Sequence, residues 1–126
     1  MQINIKINEN GADRQRLRVL SQDLYTSLNR ARAFDVRFIN TTPEYDDKDP
    51  KGVIEYIPGM LAVSLGMTTS IARLARILEA WITRDRYKSV RLENPKTGEV
   101  LDIKGLSVEE VTQILERWTR EEDSDG

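Results

Sequence analysis

Apolar and polar positions alternate from the start of the chain. Ile3, Ile5 and Ile7 fall on one face of an extended segment, and Asn4, Lys6 and Asn8 fall on the other, which predicts a strand. Asn10-Gly11 can turn the chain, and Asp13 is placed to cap a helix. Leu17, Leu20, Leu24 and Leu28 then recur at three- and four-residue steps, so the helix reaches about Ala33. Arg14, Arg16, Arg18, Gln22 and Arg30 supply much of its polar surface. Phe34, Val36 and Phe38 share one parity, and Ile39 adds an apolar residue of the other, predicting a second strand over Phe34–Ile39.

Asn40–Lys51 holds Pro43, Pro50 and the acids Glu44, Asp46, Asp47 and Asp49, a loop composition. In the middle of the chain, Val53, Ile54, Ile57, Met60, Leu61 and Leu65 have helical spacing. The pattern predicts a helix bent or divided at Pro58-Gly59 and interrupted again at Gly66. Thr68 or Thr69 then caps a helix with the stripe Ile71, Leu74, Ala75, Leu78, Trp81 and Ile82. Tyr87–Leu92 and Glu99–Ile103 predict a hairpin about the turn Asn94-Pro95-Lys96-Thr97-Gly98. Ser107 and Glu110 have capping-box spacing ahead of a last helix whose apolar face is Val111, Ile114, Leu115 and Trp118.

The expected fold is therefore α/β in the α+β sense: a four-stranded mixed sheet with covering helices, in the order strand, helix, strand, broken helix, hairpin, helix. The first strand-helix-strand unit is expected to be a parallel crossover. One domain over residues 1–120 is expected, with an acidic flexible tail at 121–126.

Composition narrows the chemistry. The chain has 126 residues, no cysteine and no histidine, which removes thiolate and imidazole nucleophiles, bases and metal ligands. No phosphate-binding glycine pattern occurs, since Gly59 and Gly66 are too far apart. The acidic loop lacks the spacing, central glycine and closing glutamate of a helix-loop-helix calcium site. No catalytic, cofactor or metal residue is assigned, and the chain is expected not to be an enzyme. The N-terminus has no apolar leader core and no stretch is long enough to span a bilayer, so a cytoplasmic location without membrane contact is expected.

The formal net charge is -2, with 19 basic and 21 acidic side chains, which disfavours nucleic acid as a partner. Charge is nevertheless uneven. Residues 51–100 carry eight basic and five acidic side chains, and residues 101–126 carry three and eight. Arg73, Arg76, Arg84, Arg86, Lys88 and Arg91 form the basic concentration. Arg73, Arg76, Arg84 and Arg86 are the candidate partner-binding residues, with Tyr25 at the margin of the core as a fifth. A homo-oligomer is the alternative, through an apolar patch around Ile57, Met60 and Leu61. A regulatory subunit of a small enzyme ranks below both.

Several segments together resemble the effector-associated constant component family, first type. They are the strand Ile3–Ile7, the helix from Leu17-Arg18-Val19-Leu20 to Leu28, and the apolar stretch Gly59–Gly66. The strongest part is Leu74-Ala75-Arg76-Ile77-Leu78-Glu79-Ala80-Trp81-Ile82, followed by Tyr87-Lys88-Ser89-Val90-Arg91-Leu92 and Pro95-Lys96-Thr97-Gly98-Glu99-Val100. It is similar to that family's helix ending in Leu-x-x-Trp and its terminal hairpin. The family commonly has tryptophan where this chain has Tyr25. The resemblance implies a non-catalytic component of a bacterial conflict or signalling system. Such an adaptor or scaffold joins effector modules, such as caspase-like or trypsin-like peptidases, to nucleotide-driven regulators.

Overall fold

The computed structural model describes residues 1–40, 56–65, 68–84 and 88–124. In chain order the elements are β1 (Gln2–Glu9), α1 (Arg14–Ala31), β2 (Asp35–Asn40), β3 (Tyr56–Ser64), α2 (Thr68–Thr83), β4 (Lys88–Glu93), β5 (Val100–Asp102) and α3 (Val108–Ser124). The strands form one five-stranded sheet in the order β2-β3-β1-β4-β5. Every neighbouring pair is antiparallel. The first six elements follow the split β-α-β chain path of ferredoxin-like arrangements. β5 and α3 extend it on one side.

Two expectations are corrected. The sheet has five strands rather than four, and it is not mixed. β1 and β2 do run parallel, because each is antiparallel to β3, but β3 lies between them. The extra strand is β3, in the segment whose apolar spacing predicts a broken helix. Leu61, Val63 and Leu65 are buried on one parity, while Met60 and Ser64 fall on the other with Ala62 between them. The helical spacing of Ile57, Met60, Leu61 and Leu65 therefore had no helical meaning, while Val53 and Ile54 lie outside the described residues. Pro58 and Gly59 explain why. Gly59 has φ +84, outside the helical region, and Pro58 has no backbone N–H to give to a helix.

That glycine is fastened from the helix above it. The Gly59 N–H donates to Ser21 Oγ at 2.7 Å, and the Ser21 hydroxyl donates to Leu17 O at 2.7 Å. Ser21 is 3% exposed, a buried polar residue on the apolar side of α1. Its hydroxyl satisfies a strand amide that the irregular backbone leaves without a ladder partner. A Cβ at Gly59 would lie 2.9 Å from the Ile7 carbonyl oxygen, so β1 leaves no room for a side chain at this point of β3.

One face of the sheet carries Ile3, Ile5, Ile7, Val36, Leu61, Val63, Val90 and Leu92. These pack with Leu20, Leu24 and Leu28 of α1, Ile71, Leu74 and Leu78 of α2, and Val111, Leu115 and Trp118 of α3 in a single core. The helices thus cover one face, and among the described residues no element covers the other, largely polar, open face. On the open face Arg37 reaches across β3 to donate to Gln2 Oε1 at 3.2 Å. Ala62, opposite both Arg37 and Asn4, is only 3% exposed.

The helix ends follow their sequence signals. Asp13 caps α1, accepting from Arg16 N at 2.8 Å. Arg32 closes α1 in the left-handed region at φ 53, one residue before Ala33. At α3, Ser107 N donates to Glu110 Oε1 and Glu110 N donates to Ser107 Oγ, both at 3.1 Å, which completes the capping box. The turn after β4 forms as expected: Gly98 N donates to Asn94 O at 2.8 Å, and Gly98 has φ +80. The helix α3 continues to Ser124, into the stretch expected to be a flexible tail. The acidic segment expected as a loop lies outside the described residues.

Candidate functional site

The helical layer is where charge and exposure combine. Between Arg14 and Arg32 lie five arginines, at 14, 16, 18, 30 and 32, and one acid, Asp23. Between Thr68 and Arg84 lie three arginines, at 73, 76 and 84, and one acid, Glu79. α3 reverses the balance: Glu109, Glu110, Glu116, Glu121, Glu122 and Asp123 stand against Arg117 and Arg120. The helix layer is therefore cationic over α1 and α2 and anionic over α3.

The antiparallel packing of α1 and α2 brings the basic C-terminal end of α1 beside α2. Ser70 Oγ donates to Ala33 O at 3.0 Å, and Arg73 Nη1 donates to Ala31 O at 3.4 Å. The C-terminus of α1, with Arg30 and Arg32, thus lies beside the N-terminal half of α2, with Arg73. Further along, Trp81 Nε1 donates to Asp23 Oδ2 at 2.8 Å, which fixes the middle of α1 against the end of α2. Arg73, Arg76 and Arg84 are exposed. Arg18, Arg76, Arg84 and Glu79 carry their charges with no ion-pair partner among the described residues. Arg86 lies outside the described residues. Tyr25 is half-buried, with its ring stacked on Phe38 at 4.7 Å between centroids and an interplanar angle of 20°.

The basic concentration seen in the sequence does not stay together in space. Lys88 points to the helix side, only 5% exposed, with Nζ 4.0 Å from the centre of the Trp81 ring. Arg91 projects from the open face, opposite Lys6 on one side and Asp102 on the other. Its guanidinium lies 4.0 Å from the Asp102 carboxylate. The C-terminal end of α1, with Arg30 and Arg32, lies beside Arg73 instead. Sequence reasoning assigned the α1 arginines only to solvated polarity, and the missing signal was the order in which the helices pack.

The apolar patch expected around Ile57, Met60 and Leu61 is divided by strand alternation. Leu61 is in the core at 0% exposure, Met60 is on the open face, and the Ile57 side chain lies outside the described residues.

A groove between α2 and the start of α3 was not foreseen. It encloses about 400 Å³. Ala75, Ile82, Ile103 and Val111 give it an apolar floor, and Glu79 and Glu110 stand at its rim. Lys104 is the one cation among the described residues that line it. The segment between β5 and α3 forms one wall, because Leu106 N donates to Ile103 O at 3.1 Å and Lys104 N to Asp102 Oδ1 at 3.1 Å.

Among the described residues no group of three or more acidic side chains is arranged to hold a metal ion. No helix among them is long and apolar enough to cross a membrane. What the arrangement offers is recognition: a cationic two-helix surface, an anionic third helix and an apolar groove with carboxylates at its edge. Comparison of the chain with family models, curated proteins and solved structures finds no match.

Proposed function

We propose that the protein is a non-catalytic adaptor or scaffold that makes protein–protein contacts in a bacterial effector system of the conflict or signalling kind. The observation that carries this reading is the α1/α2 surface, where Arg76 and Arg84 are exposed and carry charges without an ion-pair partner among the described residues. Such charges contribute little to folding and are available to attract an oppositely charged partner. The family resemblance supplies the class of partner, a peptidase-like effector or a nucleotide-driven regulator, with an acidic docking surface.

The test is capture from the native cell at low salt with the wild-type chain and with an Arg76→Glu/Arg84→Glu variant, after circular dichroism has shown both to be folded. Recovery of a peptidase-like or nucleotide-driven protein by the wild type, and its loss with the variant, supports the proposal. Equal recovery of that protein by both chains removes the arginine surface from the reading. Recovery of neither class of protein removes the effector-system assignment.

A further inference from the structure

The groove and α1 are different parts of one molecule, and no α1 residue lines the groove. Val19 on α1 is 53% exposed, one of two large apolar side chains that stand out among the described residues. Its neighbour Arg18 is exposed and has no ion-pair partner there. The groove between α2 and α3 has the opposite character. Its floor is apolar, with Ala75 at 2%, Ile103 at 5% and Val111 at 4% exposure, and its rim bears Glu79, itself without an ion-pair partner among the described residues. Glu110 beside it uses one carboxylate oxygen, Oε1, in the capping box and keeps the other for an incoming cation.

We propose that the groove is a docking site for a second copy of this chain. Val19 of one copy enters between α2 and α3 of the next, and Arg18 meets Glu79 and Glu110 at the rim. The acidic start of α3 on one wall of the groove, with Glu109 and Glu110, is opposite in charge to the arginine-rich α1, which orients the encounter. The volume of about 400 Å³ readily takes a valine side chain. The two surfaces are different patches of the same molecule, so the contact is heterologous. Each copy that docks leaves one groove and one α1 surface open, and copies add head to tail. A single apolar anchor with rim charges makes a small interface, so the association is weak and appears only as concentration rises. It is separate from capture of another protein by Arg76 and Arg84, and either can fail without the other.

Sedimentation velocity across micromolar to millimolar chain concentrations tests the proposal. The wild type is expected to grow past a dimer, and added salt is expected to shift growth to higher concentration. Val19→Asp removes the anchor and Glu79→Arg reverses the rim. Both positions are exposed, and each variant is expected to fold and to associate roughly tenfold more weakly or worse. The mixture is the decisive arm. A Val19→Asp chain keeps an intact groove, and a Glu79→Arg chain keeps an intact α1. Together they should form a one-to-one complex that grows no further. Wild type that stays monomeric throughout overturns the proposal. So do variants that associate like the wild type, and so does a mixture that forms no complex.

Discussion

Replacing Gly59 by alanine separates a backbone penalty from a contact penalty, because other glycines share its conformation but not its surroundings. Gly59 has φ +84 and Gly105 has φ +87, both in the left-handed region. An L-residue there costs about 1–2 kcal/mol. At Gly105 an added Cβ meets nothing within 4 Å, so Gly105→Ala should cost about that much and no more. At Gly59 the same Cβ would lie 2.9 Å from the Ile7 carbonyl oxygen, a backbone atom of the paired strand β1. Neither side can yield without disturbing β1 against β3 or the Ser21 bond, so a further penalty of at least about 1 kcal/mol is expected. For a chain of 126 residues, an unfolding entropy near 2.1 cal/mol/K per residue converts 1 kcal/mol into about 4 °C of Tm. Gly105→Ala should therefore lower Tm by about 4–8 °C, and Gly59→Ala by at least about 4 °C more. Thermal unfolding followed by circular dichroism reads both. Equal shifts in the two variants would refute the argument that close approach of strands, rather than φ alone, fixes glycine at position 59.

Two further predictions concern the same sheet. Ser21→Ala leaves the buried Gly59 N–H without its acceptor and should cost about 1–3 kcal/mol in urea unfolding, while Thr26→Ala, whose hydroxyl bonds Gln22 O on the exposed side of α1, should stay within about 0.5 kcal/mol of wild type. Lys6 lies directly opposite Arg91 on the open face, a like-charge cross-strand pair; Lys6→Glu should raise stability by about 0.2–1 kcal/mol at low salt, and a gain that does not shrink in high salt would refute the electrostatic cause.

Much of the fold was legible because local and tertiary signals agreed. The strict alternation of Ile3, Ile5 and Ile7, the Asp13 cap and the Ser107–Glu110 box each have one structural reading, and each formed. The segment 56–65 misled because short apolar runs satisfy helical and extended periods at once. Pro58-Gly59 was the arbiter. It interrupts a helix, but in a strand it makes an irregularity that a serine on a neighbouring helix can satisfy. That serine lies 38 positions away in sequence, and no local pattern links it to Gly59. The candidate surface was legible in its residue types but not in its extent. Arg73, Arg76 and Arg84 could be placed on a helix, yet the meeting of Arg73 with the C-terminal end of α1 depends on helix order, as does the withdrawal of Lys88 onto the Trp81 ring. The groove between α2 and α3 had no sequence signal, since Ala75, Ile103 and Val111 read equally well as unbroken core.

The two tryptophans are the only ones in the chain, and each sits at a different joint. Trp81, fully buried, bonds Asp23 and lies under Lys88, so it ties α1 and β4 to α2. Trp118, also fully buried, donates to Glu99, which in turn accepts from Arg117, so it ties α3 to the β4–β5 hairpin. Each indole is flanked by charge at a fixed position, and loss of that arrangement changes its emission. The chain thus carries two intrinsic optical reporters, one for the six-element unit and one for the added strand β5 and helix α3. With one tryptophan at a time replaced by phenylalanine, fluorescence distinguishes concerted melting of the whole sheet from earlier release of α3.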